Sequence, residues 1–121
     1  MKFLMSIYGN DETWSSLPRE QWEKLRDDTD AHNTALFASG ELLGAYGVSE
    51  PVSIKRVRVT DGVPVVSDGP YIETKEYLGS FYVVDCESLE RALEIAAGMP
   101  SATLTDIEVH PLTHGGSAED F

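Results

Sequence analysis

Cysteine is almost absent. Cys86 stands alone, so no intramolecular disulfide can form, and the composition fits a reducing cytoplasm. Basic side chains are scarce too: 9 lysines and arginines face 21 aspartates and glutamates, a formal net charge of −12. Such a field repels phosphate backbones and anionic lipid, so neither nucleic acid nor a membrane surface is expected as a partner. No apolar run approaches the roughly 18–20 residues that span a bilayer. The stretch from Met1 to Asn10 lacks the basic region, long apolar core and cleavage site of a signal peptide. Walker A, dinucleotide-binding, nucleophile-elbow and Cys-x-x-Cys patterns are missing. His110 and His114 have no further ligands at metal-site spacing, so no cofactor and no metal are expected.

What is present suits one globular domain. The chain has 121 residues, 41% hydrophobic and 25% charged, which is enough for a single core and argues against disorder. No repeat or Pro/Ser-rich linker divides it. Lys2 to Tyr8 is apolar on both alternations, Phe3-Met5-Ile7 and Leu4-Ser6-Tyr8, as a strand covered on both faces should be. A polar loop is expected from Gly9 to Ser16. A helix then begins near Leu17 with Pro18 in its first turn and ends at Gly40. Its inward stripe is read as Trp22, Leu25, Thr29, His32 and Leu36, at spacings of 3 and 4.

Leu42 to Gly47 reads as a short strand. Ile54 to Thr60 and Val63 to Ser67 flank Asp61-Gly62, a strong hairpin signal. Tyr71 to Leu78 connects to a strand over Gly79 to Asp85. Ser88 caps a second helix whose inward residues are read as Leu89, Ala92, Leu93 and Ala96, and Leu104 to Val109 is a last strand wet on one face. The order β-α-β, hairpin, β-α-β predicts a ferredoxin-like α/β plait with an inserted β-hairpin. It is an α+β fold, an antiparallel sheet with two helices on one face. The domain is expected over 1–112 and a flexible tail over 113–121. A sheet covered on one side only needs a partner, so a homodimer is expected.

Residues 68–79 read Asp-Gly-Pro-Tyr-Ile-Glu-Thr-Lys-Glu-Tyr-Leu-Gly. This resembles the signature of the YCII-related proteins of the DGPF (DGPFAETKE-like) kind. The likeness extends through Phe81-Tyr82-Val83-Val84-Asp85 to Ile107-Glu108-Val109-His110-Pro111-Leu112, and covers about residues 1–112. Tyr71, Ile72, Tyr77 and Ser80 depart from the usual residues. The resemblance implies a dimeric α/β barrel, and for some branches small-molecule chemistry with a His–Asp pair.

His32 is the candidate acid–base residue, because an imidazole titrates near working pH; Asp28, one turn earlier, is placed to orient it. The bland alternative is a histidine at the core edge with a satisfied hydrogen bond. Asp68 is the candidate carboxylate, or else an Asx residue that only shapes its turn. Tyr8, Tyr46, Tyr71, Glu73, Lys75 and Phe81 are candidate ligand contacts, with core or solvated-surface roles as the alternative. The leading expectation is a homodimer that binds a small polar or aromatic molecule and moves protons without a cofactor. A non-enzymatic ligand- or protein-binding module is the rival, and fold analogy adds a cofactor-free monooxygenase-like activity.

Overall fold

The computed structural model describes residues 1–70, 75–116 and 118. Tyr71 and Glu73, and part of the tail, lie outside them. Strand β1 (Lys2–Gly9) leads into helix α1 (Asp11–Ser15) and the long helix α2 (Arg19–Ser39). Strand β2 (Leu42–Gly47) is followed by the hairpin strands β3 (Lys55–Thr60) and β4 (Val63–Asp68). Then come β5 (Tyr77–Asp85), helix α3 (Leu89–Ala97) and β6 (Ile107–Pro111). The main sheet runs β2-β5-β1-β6 and its paired strands are antiparallel. With the hairpin set aside, that is the ferredoxin-like plait. Among the described residues, no helix is long and apolar enough to cross a membrane.

Pairing across the sheet fixes its two faces. Phe3, Met5 and Ile7 of β1 oppose Val84, Tyr82 and Ser80 of β5 and point to the helices. The core gathers there, from Phe3, Met5, Ile7, Leu36, Leu42, Tyr82, Val84, Ala92, Ile95 and Met99. Burial pushes the Tyr82 phenol pKa up, although Asn33 on α2 hydrogen-bonds to it. The opposite face carries Leu4, Ser6 and Tyr8 with Phe81, Val83 and Tyr46, and no helix of the described residues covers it.

Three expectations need correction. The stretch after β1 is not all loop: Asn10 accepts hydrogen bonds through Oδ1 from the Thr13 backbone N–H (2.8 Å) and hydroxyl (2.9 Å), which nucleates α1. Trp22 does not enter the core. It is 40% exposed, and its indole N–H donates to the Trp14 carbonyl at 2.8 Å because α1 lies beside it. On α3 the buried side is Ala92, Ile95 and Ala96, while Leu89 and Leu93 face out. Apolar residues wrap most of that short helix, so periodicity alone did not choose the face.

One ion pair ties α3 to the corner before β2. Arg91 reaches Glu41 through Nε and a terminal guanidinium nitrogen, both at 2.8 Å. This fork holds the Glu41 carboxyl down from 4.5 to about 2. A carboxyl whose folded pKa is depressed stabilises the fold above its ordinary pKa and loses that contribution as pH falls through the folded value. Melting temperature should therefore drop as pH falls from 4.5 toward 2, and Glu41→Gln should flatten that part of the profile. An unchanged slope in the variant would assign the acid sensitivity elsewhere.

Candidate functional site

A cleft opens at one end of the sheet, where the exit of β1, helix α1, the β2–β3 connection and the start of β5 converge. It has a volume of about 590 Å³ and is lined by Asn10, Trp14, Val48, Pro51, Lys75 and Tyr77 among others. Local chemistry shapes each wall. Gly9 has no side chain, and Trp14 uses the space: a Cβ on Gly9 would stand 2.5 Å from the indole Nε1. The Val48 N–H donates to the Gly79 carbonyl at 2.9 Å, pinning the exit of β2 to β5. The Ser53 N–H donates to the Glu50 carbonyl at 2.9 Å, closing the turn that presents Glu50 and Pro51. Asp11, Glu12 and Glu50 give the cleft three carboxylates, and Lys75 is its one ammonium group among the described residues. An aromatic and proline wall with a single cation suits a flat ring that bears an acidic oxygen.

A second group of residues lies on the open sheet face. Tyr46 and Phe81 stack with ring centroids 5.4 Å apart. Tyr8 sits beside Glu108, with Glu76 and Asp106 nearby, around a hollow of about 270 Å³. Partial burial raises the Tyr8 phenol pKa, and the Glu108 carboxylate adds to the rise. Glu108 Oε1 also lies 3.6 Å from His110 Nε2.

The structure does not bring the expected catalytic pair together. His32 packs between α2 and α3, its Nε2 is 3.2 Å from the Ile95 carbonyl, and its Cε1 abuts Gly98. That places it on the helix side of the sheet, with Tyr8, Tyr46 and Phe81 on the other. Asp28 bonds Lys24 at 2.6 Å rather than the imidazole. Asp68 ends β4 and pairs with Lys55 across the hairpin. Of the expected ligand contacts, Tyr8, Tyr46 and Phe81 share the open face, and Lys75 borders the end cleft. Tyr71 and Glu73 lie outside the described residues.

Trp14, Pro51 and Tyr77 line the cleft although the sequence pattern does not mark them as ligand contacts. An isolated tryptophan in a polar stretch just after a strand was the available signal.

The family model of the YCII-related domain matches residues 1–114. An uncharacterized protein of Rhizobium meliloti (strain 1021) is 30% identical over 114 residues, spanning 93% of this chain and 92% of its own. Among solved structures, the fold is similar to 5-chloro-2-hydroxyhydroquinone dehydrochlorinase from Burkholderia phenoliruptrix AC1100, in complex with 2,5-dihydroxybenzoquinone. The TM-score is 0.51 at 16% identity, with 95% of this chain and 96% of that chain covered. The likeness is one of fold, a mixed α+β domain built on an antiparallel sheet.

Proposed function

The chain belongs to the YCII-related domain family, and we propose that it is a homodimer that binds a small aromatic or quinone-like molecule in the cleft at the end of its sheet. The observation that carries this reading is that Trp14, Pro51 and Tyr77 line the same cleft as Lys75, its one ammonium group among the described residues. Indole and phenol rings offer stacking surface, and one cation selects a ligand with one anionic oxygen. The dehydrochlorinase of similar fold holds a dihydroxybenzoquinone, which supports that ligand class. Dimerisation through the open sheet face is supported by its bare apolar side chains: Leu4, Phe81 and Val83 are half-buried and Tyr46 is 57% exposed.

Acid–base chemistry in this cleft falls to Asp11, Glu12, Glu50 and Lys75, because the His32 ring is engaged at the Ile95 carbonyl. That engagement favours a second reading, a binding module without turnover. Titration with 2,5-dihydroxybenzoquinone, followed by tryptophan fluorescence, tests both. Saturable quenching that weakens at least about tenfold in Lys75→Met supports the cleft, and quenching that never saturates removes it. Chromatographic loss of the bound compound marks an enzyme, and its intact recovery marks the module. Light scattering should give twice the 13.3 kDa chain mass; a monomer at micromolar concentration would remove the dimer.

A further inference from the structure

The β3–β4 hairpin is well defined and almost uncovered. Asp61 and Gly62 turn it with φ of 51° and 77°, the mirror-image turn that suits strand twist. Lys55 pairs with Asp68 at its base, and the Gly69 N–H donates to the Ile54 carbonyl at 2.8 Å. Beyond that base, neither strand makes more than glancing contact with another described element. A two-stranded ribbon alone is marginal in water, so something must cover this one.

Its two sides differ. The register places Val57 opposite Val66 and Val59 opposite Pro64, an apolar side on which the three valines are 66%, 63% and 64% exposed in that order. The other side pairs Arg56 with Ser67, Arg58 with Val65 and Thr60 with Val63. The strand edges are guarded: Pro64 lacks an N–H on β4, and cationic side chains flank β3. Guarded edges argue for contact through a face, not for strand addition.

Charge identifies the occupant. Three of the 9 cationic side chains of a chain with net charge −12 fall in this hairpin. Among the described residues, Arg19, Lys24, Arg26, Lys55 and Arg91 each lie within 4 Å of a carboxylate, whereas Arg56 and Arg58 pair with none. On the main sheet, Asp106 and Glu108 stand at the margin of the open face, and neither is paired with lysine or arginine. An acidic, half-apolar face and a basic, half-apolar arm on one molecule complement each other between copies.

We propose that the hairpin is an arm that lays its Val57, Val59 and Val66 side on the apolar sheet face of a second copy. Arg56 and Arg58 form the rim, their long side chains reaching past the strand edge toward the second copy's Asp106 and Glu108. The proposal rests on the homodimer reading and states what completes its interface.

Sedimentation of the full chain, three paired variants and one charge-swapped combination tests it. Val57→Ser/Val66→Ser should raise the dimer dissociation constant roughly 100-fold, since two buried apolar side chains are lost. Val63→Ser/Val65→Ser, the same chemistry on the other side, should leave it within about threefold. Equal effects of the two serine pairs, or none from the first, overturn the arm while the wild-type dimer stands. A monomeric wild type overturns the arm and the dimer together. Arg56→Glu/Arg58→Glu reads the same docking without touching the valines: at low salt the constant should rise at least about tenfold and recover when Asp106→Arg/Glu108→Arg is added. No change in the glutamate variant overturns the rim contact and with it the proposal.

Discussion

Replacing Phe3 by alanine will lower the unfolding free energy by about 3–5 kcal/mol. Phe3 is 1% exposed and opposes Val84 on one neighbouring strand and Pro111 on the other. It is among the largest fully buried side chains and belongs to the core cluster shared by the sheet and the helices. Alanine removes both the apolar transfer term and the contacts of the surrounding side chains, which a close-packed core cannot recover by moving. Urea unfolding at fixed protein concentration is the appropriate measurement, because the proposed dimerisation would make stability concentration-dependent. The midpoint should fall while the slope stays constant. A loss under about 1 kcal/mol would mean that the core is organised around other residues.

Substituting Gly9 by alanine will abolish the proposed ligand site while leaving the sheet in place. The added methyl would stand 2.5–2.6 Å from three atoms of the Trp14 ring, far inside van der Waals contact, so the indole must swing away. With it goes the aromatic wall of the cleft. Quenching by 2,5-dihydroxybenzoquinone should weaken at least about tenfold, and tryptophan emission should shift to the red as the half-buried ring meets water. Far-ultraviolet dichroism should hardly change, since Gly9 contributes its backbone to β1 and no side chain to the core. Unaltered quenching in this variant would place the ligand away from Trp14.

Local chemistry was the most readable part of the chain. Asp61-Gly62 announced the hairpin because few other pairs tolerate two successive positive φ angles. Ser88 announced α3, and its hydroxyl accepts from the Arg91 N–H at 3.1 Å. The strand order followed from the sequence of elements, since short connections leave few topologies open. Facing was less readable. Leu93 and Ile95 are equally apolar, yet Ile95 joins the core cluster while Leu93 stays 51% exposed, with the Arg91–Glu41 pair fixing the helix at one end. The site suffered most. His32 and Tyr8 both looked inward along their own elements, but the sheet stands between them. Which side of a sheet a helix covers is decided by non-local pairing and cannot be read from spacing along one helix. The short α1 helix hid in a polar stretch because five residues carry almost no periodic signal.

The lone thiol has a practical consequence. Cys86 is 7% exposed where β5 hands over to α3, and its sulfur lies 3.4 Å from the Ser88 carbonyl. An alkylating reagent in solution reaches it only when that junction opens. Because the chain has no other cysteine, the labelling rate, divided by the rate for an unstructured thiol, gives the fraction of time the junction spends open. Comparing that fraction between dilute and concentrated protein reports how strongly the proposed dimer braces the helix layer from the far side of the sheet.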